Sequence, residues 1–231
     1  MTVVVVQARF NSARLPGKVL RPLRGRPMVA HLLDNLSHCQ EIDGVILATS
    51  DQPSDDPIAA FAASARVVCH RGPLDDVATR VWSAARQSGA DALVRVSGDS
   101  PLLDPALVDQ AVRLFRTDTA DLVSNVVTRS FPKGQSVEVM SCAALGRAID
   151  RMTTPAEREH VTPYFYAHPD EFVITAFRAE MPRPDLQLSV DDADDFAHCE
   201  AILDALGQPA WQAGWEACVR AHGQIVERPT S

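Results

Sequence analysis

Nowhere do apolar residues run for the eighteen or so positions that a helix needs to cross a bilayer. The N-terminus has no basic stretch followed by an apolar core and a small-residue cleavage site, so the expectation is a cytoplasmic protein without a signal peptide. Cysteine is sparse. Cys39, Cys69, Cys142, Cys199 and Cys218 are odd in number and form no Cys-x-x-Cys pair, which argues for reduced thiols and against a disulfide framework or a thiolate zinc site. Positive charge is short as well: 22 Lys and Arg face 30 Asp and Glu, a net of −8. With aromatics at 6%, that balance disfavours nucleic acid as a partner, since such binding neutralises many phosphates and stacks many bases. His31, His38 and His70 fit no metal spacing, the Gly-x-x-x-x-Gly-Lys-Ser/Thr phosphate loop is absent, and no repeat or low-complexity tract occurs.

What is present is material for a core. Apolar residues make up 46% of 231, enough for one large α/β domain or a core with a small appendage. Thr2 to Val6 reads as a buried first strand, and Gly44–Thr49, Arg66–His70, Ala92–Val96 and Asp121–Asn125 read as four more. Helical spacing fills the gaps: Val29, Leu32, Leu33 and Leu36 behind Pro27, then residues 57–65, then Val77 and Val81, then Val108 to Phe115. Apolar strands alternating with helices predict a mostly parallel, doubly wound sheet covered on both faces. The rhythm breaks near Phe131-Pro132-Lys133-Gly134. Beyond it the pattern predicts a strand at 135–140, helices at 143–152 and 156–167, an antiparallel strand at 172–178 and a strand at 186–190. Helices from Phe196 to Leu206 and from Trp211 to His222 close the chain. The expected organisation is one domain over residues 1–231 carrying an antiparallel and helical insertion at approximately 129–182.

The first strand runs into Gln7-Ala8-Arg9-Phe10-Asn11-Ser12-Ala13-Arg14-Leu15-Pro16-Gly17-Lys18. Between residues 7 and 26 there are six basic residues and no acid. A cationic loop on an anionic chain, at the end of a strand where open sheets place their crevices, suits a small polyanion; a solvated basic loop is the plainer alternative. Pro16 stiffens the turn, Gly17 lets main-chain N–H groups approach oxygens, and Lys18 adds a compact charge. Asp99, in Ser97-Gly98-Asp99-Ser100-Pro101, and Asp191, after Leu188-Ser189-Val190, both follow strands. Two such carboxylates opposite a cationic loop can hold magnesium bridging phosphate oxygens. For Asp99 a ligand role outranks a helix cap; for Asp191 the two are close, and Asp192 or Asp194 also suit caps. Arg71 can read a base edge, with Asp75 and Asp76 better explained as caps of the helix they open. Glu157-Arg158-Glu159-His160 cannot all face one ligand, because four consecutive helical residues point four ways. A solvated face is the default there, with Arg158 or His160 turned inward as the sharper alternative.

Together these segments resemble the spore-coat polysaccharide type of cytidylyltransferase, with CMP-Kdo and CMP-sialate synthetases as more distant relatives. The residues that carry the resemblance are Gln7-Ala8-Arg9…Ser12…Arg14-Leu15-Pro16-Gly17-Lys18, Arg71-Gly72…Asp75-Asp76, Gly98-Asp99…Pro101, Phe131-Pro132…Gly134, Glu157 to Tyr164 and Val190-Asp191…Asp195-Phe196. The resemblance implies a nucleotide-diphospho-sugar transferase fold and a homodimer to which the insertion contributes. It implies Arg14 and Lys18 on the CTP triphosphate, and Arg14, Lys18 and Asp99 as the catalytic residues. Ala8, Arg9, Arg71 and Ser97 would line the nucleotide pocket, Mg2+ would sit on Asp99 and Asp191, and Arg158 and His160 would face a sugar-acid acceptor. The implied reaction moves CMP from CTP to that acceptor and releases pyrophosphate, supplying an activated sugar for surface polysaccharide or glycan. Phe10-Asn11-Ser12, Ser100 and Asp192 depart from the family pattern without removing a charge. The rivals are a glycosyltransferase of the same fold, disfavoured because no Asp-x-Asp lies near Asp99, a nucleotidyltransferase for another base, and a non-enzymatic nucleotide- or RNA-binding module.

Overall fold

Branching at Cβ favours extended backbone, and an unbroken run of such residues suits a strand buried on both faces. In the computed structural model, which describes residues 1–226, this run forms β1 (Thr2–Gln7), with Val4, Val5 and Val6 fully enclosed. A two-residue ribbon follows, β2 (Pro22–Leu23) against β3 (Arg26–Pro27), and then α1 (Met28–Leu36), β4 (Gly44–Ser50), α2 (Asp56–Ser64) and β5 (Val68–Gly72). Next come α3 (Val77–Gln87), β6 (Ala92–Ser97), α4 (Pro105–Thr117) and β7 (Leu122–Ser124). The remainder comprises β8 (Glu138–Ser141), α5 (Cys142–Ile149), α6 (Pro155–His160), α7 (Pro163–Ala167), β9 (Ile174–Ala176), α8 (Ala193–Leu206), α9 (Ala210–Ala213) and α10 (Trp215–Val226).

Seven strands make one sheet in the order β5-β4-β1-β6-β8-β7-β9. Every neighbouring pair is parallel except the two that β8 makes, so β8 alone runs against the rest. Val4 and Val6 pack towards α1, α4, α8 and α10 on one face; Val3 and Val5 pack towards α3 and α5 on the other. The sheet is thus mostly parallel and doubly wound. Among the described residues no helix is long and apolar enough to cross a membrane. All five cysteines are free, and burial pushes the Cys39 and Cys218 thiols up to about 12.

Several elements differ from the sequence pattern. The segment at 129–182 supplies β8 and β9 to the central sheet, so it is threaded through the domain. β9 pairs parallel to β7, because side-chain alternation reports a half-buried strand but not the direction of its neighbour. The helix expected over 156–167 is two helices, broken where Val161 adopts φ 66° just before Thr162-Pro163. Proline lacks an N–H, so Pro163 opens a new helix rather than continuing the old one, while Thr162 before it keeps helical angles. The last helix breaks likewise at Gly214, φ 78°.

Residues 186–190 form no ladder strand, only a bridge between Lys133 and Gln187. Lys133 exchanges backbone hydrogen bonds with Leu186 and Leu188 at 2.9 and 2.8 Å. The adjoining Gly134 has φ 94°, and a Cβ there would lie 2.6 Å from the Leu188 carbonyl carbon and the Ser189 nitrogen. Gly134 therefore lets this turn lie against the segment that ends in Asp191. Gly134→Ala is expected to destabilise the fold by about 3 kcal/mol or more, from left-handed strain added to a backbone clash. At this chain length that lowers the melting temperature by roughly 6–12 °C; a calorimetric midpoint equal to wild type would show that the contact yields freely.

Candidate active site

β1 and β6 are parallel neighbours, with Gln7 level with Ser97. From β1 the chain builds outwards to β4 and β5 on one side, while β6 begins the other side, so the sheet has its switch point between these two strands. A crevice opens at the carboxyl ends of strands there. The loops leaving them carry Ala8 to Lys18 and Gly98 to Ser100.

Asp55 pins the first loop. Its carboxylate accepts from Phe10 N at 2.7 Å, Ser50 N at 2.9 Å and Ser50 Oγ at 2.5 Å. Burial alone would raise the Asp55 pKa, but these bonds outweigh it and hold the carboxyl below its ordinary value. Gly17 adopts φ 72° to open a single 3-10 turn, Lys18–Leu20, and its N–H donates to Phe10 O at 2.8 Å. That N–H serves the loop itself rather than a ligand, and positive φ is what demands glycine here.

Lys18 sits at the centre, only 8% exposed. Its Nζ donates to Asp99 Oδ2 at 2.9 Å and to Val190 O at 2.6 Å, and lies 3.7 Å from Asp191 Oδ1. Arg14 Nη2 is 2.9 Å from the same Asp191 oxygen. Val190 N donates to Asp99 O at 2.9 Å, tying the two acidic loops together. Asp192, not Asp191, caps α8, in a reciprocal box with Asp195 that also takes Asp191 N at 2.8 Å. The Asp191 side chain is thereby left to face the crevice, its Oδ2 accepting from Gln187 Nε2 at 3.3 Å. Two carboxylates converging on one ammonium offer hard oxygen donors of the kind magnesium takes, and among the described residues Asp99 Oδ1 meets only Ser100 Oγ, at 3.5 Å. Among the described residues no three His, Cys, Asp or Glu cluster as a metal cage. A cation would therefore draw its remaining ligands from phosphate and water, as magnesium in nucleotide sites does.

The crevice encloses about 280 Å³. Ala8, Arg9, Arg14, Lys18, Ser97, Asp99 and Asp191 all line it. Arg71, Arg158 and His160 do not. Arg71 spends its nitrogens on Ser50 O at 3.0 Å, Gln52 O at 2.8 Å and Asp56 at 2.7 Å. Arg158 turns inward, but onto Asp76 at 2.7 Å and the carbonyls of Ile149 and Met152, strapping α6 to the capped start of α3. His160 is exposed. From the same charged run it is Glu159 that lines the crevice, 3.0 Å from Arg9 Nη1. Arg80 also lines it and was not picked out from the sequence. The signal was there: Arg80 lies three residues after Val77 and four before Ala84, on the buried face of α3.

A family model described as Cytidylyltransferase matches residues 3–208 of the chain. The uncharacterized protein MJ1063 of Methanocaldococcus jannaschii is 34% identical over 83% of this chain and 79% of its own length. The spore coat polysaccharide biosynthesis protein SpsF of Bacillus subtilis is 27% identical over 88% of this chain and 87% of its own. Among solved structures, a cytidylyltransferase from Leptospira borgpetersenii superposes with a TM-score of 0.92 at 24% identity, covering 100% of this chain and 98% of that one.

Proposed function

Because the chain belongs to the cytidylyltransferase family and is a CTP-dependent nucleotidyltransferase, we propose that it transfers CMP from CTP to the hydroxyl of a sugar acid, at the crevice between β1 and β6. The acceptor oxygen attacks the α-phosphorus in line, the bond to the β-phosphate oxygen breaks, and pyrophosphate leaves. Negative charge grows on the departing oxygens. Arg14 and Lys18 lie beside that position and stabilise it electrostatically, with no reorganisation at the moment of reaction. Before CTP arrives the two cations rest on Asp191 and Asp99, which holds them in place without letting them collapse into solvent. Asp99 and Asp191 would hold Mg2+, which when bound polarises the phosphoryl group. The single observation behind this reading is the meeting of Lys18 Nζ with both aspartates at one rim of the sheet.

A sugar acid is favoured as acceptor by the resemblance to CMP-sugar synthetases and by the likeness to a spore coat polysaccharide protein. The segment 129–182 is proposed to serve the acceptor side and a contact with a second copy, which would cover the exposed Val173 and Met181. The deciding experiment measures pyrophosphate release from each of the four nucleoside triphosphates, against Kdo-, sialic- and legionaminic-type acids, with and without magnesium. Release is expected with CTP, with magnesium and with one class of acid. Turnover of a ready-made nucleotide-sugar with release of nucleoside diphosphate would make the protein a glycosyltransferase and overturn this reading.

A further inference from the structure

A carboxylate enclosed in protein is costly unless a cation or several donors meet it. Asp55 is 1% exposed, and among the described residues no cation forms an ion pair with it. It stands just before α2, where a carboxylate ordinarily caps its own helix, yet its side chain makes no capping bond. Its oxygens are spent elsewhere. Oδ1 accepts from Phe10 N, while Oδ2 accepts from the N–H and the hydroxyl of Ser50. The ladder between β1 and β4 explains why Phe10 needs it. Ala8 N donates to Ala48 O at 3.0 Å, and the next rung would carry Phe10 N to Ser50 O. Ser50 O is already taken by Arg71 Nε, at 3.0 Å. Asp55 supplies the missing acceptor at 2.7 Å, so the chain leaves the sheet from a fixed point.

Phe10 in turn holds the far end of the loop. Its carbonyl accepts from Ser12 N at 3.0 Å and from Gly17 N at 2.8 Å, and its ring lies 3.1 Å from where a Cβ on Gly17 would stand. Lys18 follows at once, in a turn closed by Gly17 O, which accepts from Leu20 N and Arg21 N. Both ends of the loop that carries Arg14 are thereby clasped to one buried charge. An amide could not replace it. Each oxygen of Asp55 faces a main-chain N–H, so the NH2 of asparagine would oppose either Phe10 or Ser50. Resting on the CTP reading above, we propose that Asp55 is a positioning residue for nucleotidyl transfer: acting through Phe10 and Gly17, it sets Lys18 and Arg14 against the phosphates that leave as pyrophosphate.

Calorimetric titration with CTP and with CMP, in magnesium, tests this without an acceptor, because only CTP carries the outer phosphates. Asp55→Asn is expected to lose about 10- to 100-fold in CTP affinity, the scale of a group misplaced by an ångström, while CMP stays within about twofold of wild type. Ser50→Ala removes a hydroxyl from the same carboxylate and leaves Phe10 N bonded, so it is expected to melt lower and keep the wild-type preference for CTP over CMP. Phe10→Ala alters a half-buried side chain on a surface loop and spares the core, which keeps the relay testable even where Asp55→Asn does not fold. It is expected to lose about threefold or more for CTP alone, from the brace on Gly17. A wild-type preference for CTP in either Asp55→Asn or Phe10→Ala overturns the proposal. Equal losses for CTP and CMP, or a loss of CTP in Ser50→Ala as large as in Asp55→Asn, would reduce Asp55 to a folding role and overturn it too. A wild-type protein that binds CTP no better than CMP would instead remove the CTP reading on which the inference rests.

Discussion

Asp99→Asn is expected to lower the rate of magnesium-dependent pyrophosphate release by about a thousandfold, the upper range for one preorganised electrostatic group lost from a site. The substitution keeps the shape of the side chain and removes one negative charge, so the fold is a small part of the effect. Lys18 Nζ still donates to Val190 O at 2.6 Å, and the Val190 N to Asp99 O bond is made by backbone. What goes is the carboxylate that faces both the crevice and Lys18. Two accounts of that carboxylate predict opposite results for CTP binding. If Asp99 serves only to restrain Lys18, the amide frees the ammonium for phosphate and CTP binds more tightly. If Asp99 would instead hold the metal that offsets the developing charge, turnover collapses and binding in magnesium weakens. Steady-state release at saturating CTP, with a thermal melt as control for folding, separates the two. Near-normal turnover in this variant would take Asp99 out of the chemistry.

Much of this geometry was legible because it depends on where strands end. The valine run fixes β1, the apolar segment at 92–96 fixes β6, and parallel neighbours deliver Arg9 and Asp99 to one rim whatever the loops do. The basic loop and Asp99 could therefore be named from order alone, whereas Asp191 was read as following a strand at 186–190 that the structure does not form. What could not be read was the rotational phase of short helices and the fate of individual arginines. Glu159 rather than Arg158 or His160 reaches the crevice because α6 is one short capped segment, stopped at Val161 and held by Arg158 against Asp76. That phase is a tertiary outcome, invisible in four consecutive charged residues. Arg71 looked suited to a base, yet it lies level with Thr49 on the neighbouring strand, within reach of the carbonyls of Ser50 and Gln52. Those backbone acceptors leave no trace in the sequence. The segment before Asp191 failed as a strand for a related reason. Pro182 and Pro184 remove donors ahead of it, and its own N–H groups go to Lys133 and Asp99 rather than to a ladder.

Lys18→Ala is expected to reduce kcat/KM for CTP by a factor of about ten to a thousand, the range spanned by one charged hydrogen bond and one transition-state contact. The position within that range is informative, because Lys18 has two separable duties. In the absence of nucleotide its ammonium neutralises Asp99 and touches Asp191, so two carboxylates can stand close together. With CTP bound, the same charge would face the departing phosphates. Loss of the first duty leaves the acids repelling each other, which the metal-bound nucleotide relieves; the effect then falls on CTP affinity and shrinks at high magnesium. Loss of the second falls on kcat and persists at any magnesium concentration. A kcat drop that survives saturating CTP and magnesium would thus place Lys18 on the leaving group, and kinetics equal to wild type would remove it from the site altogether.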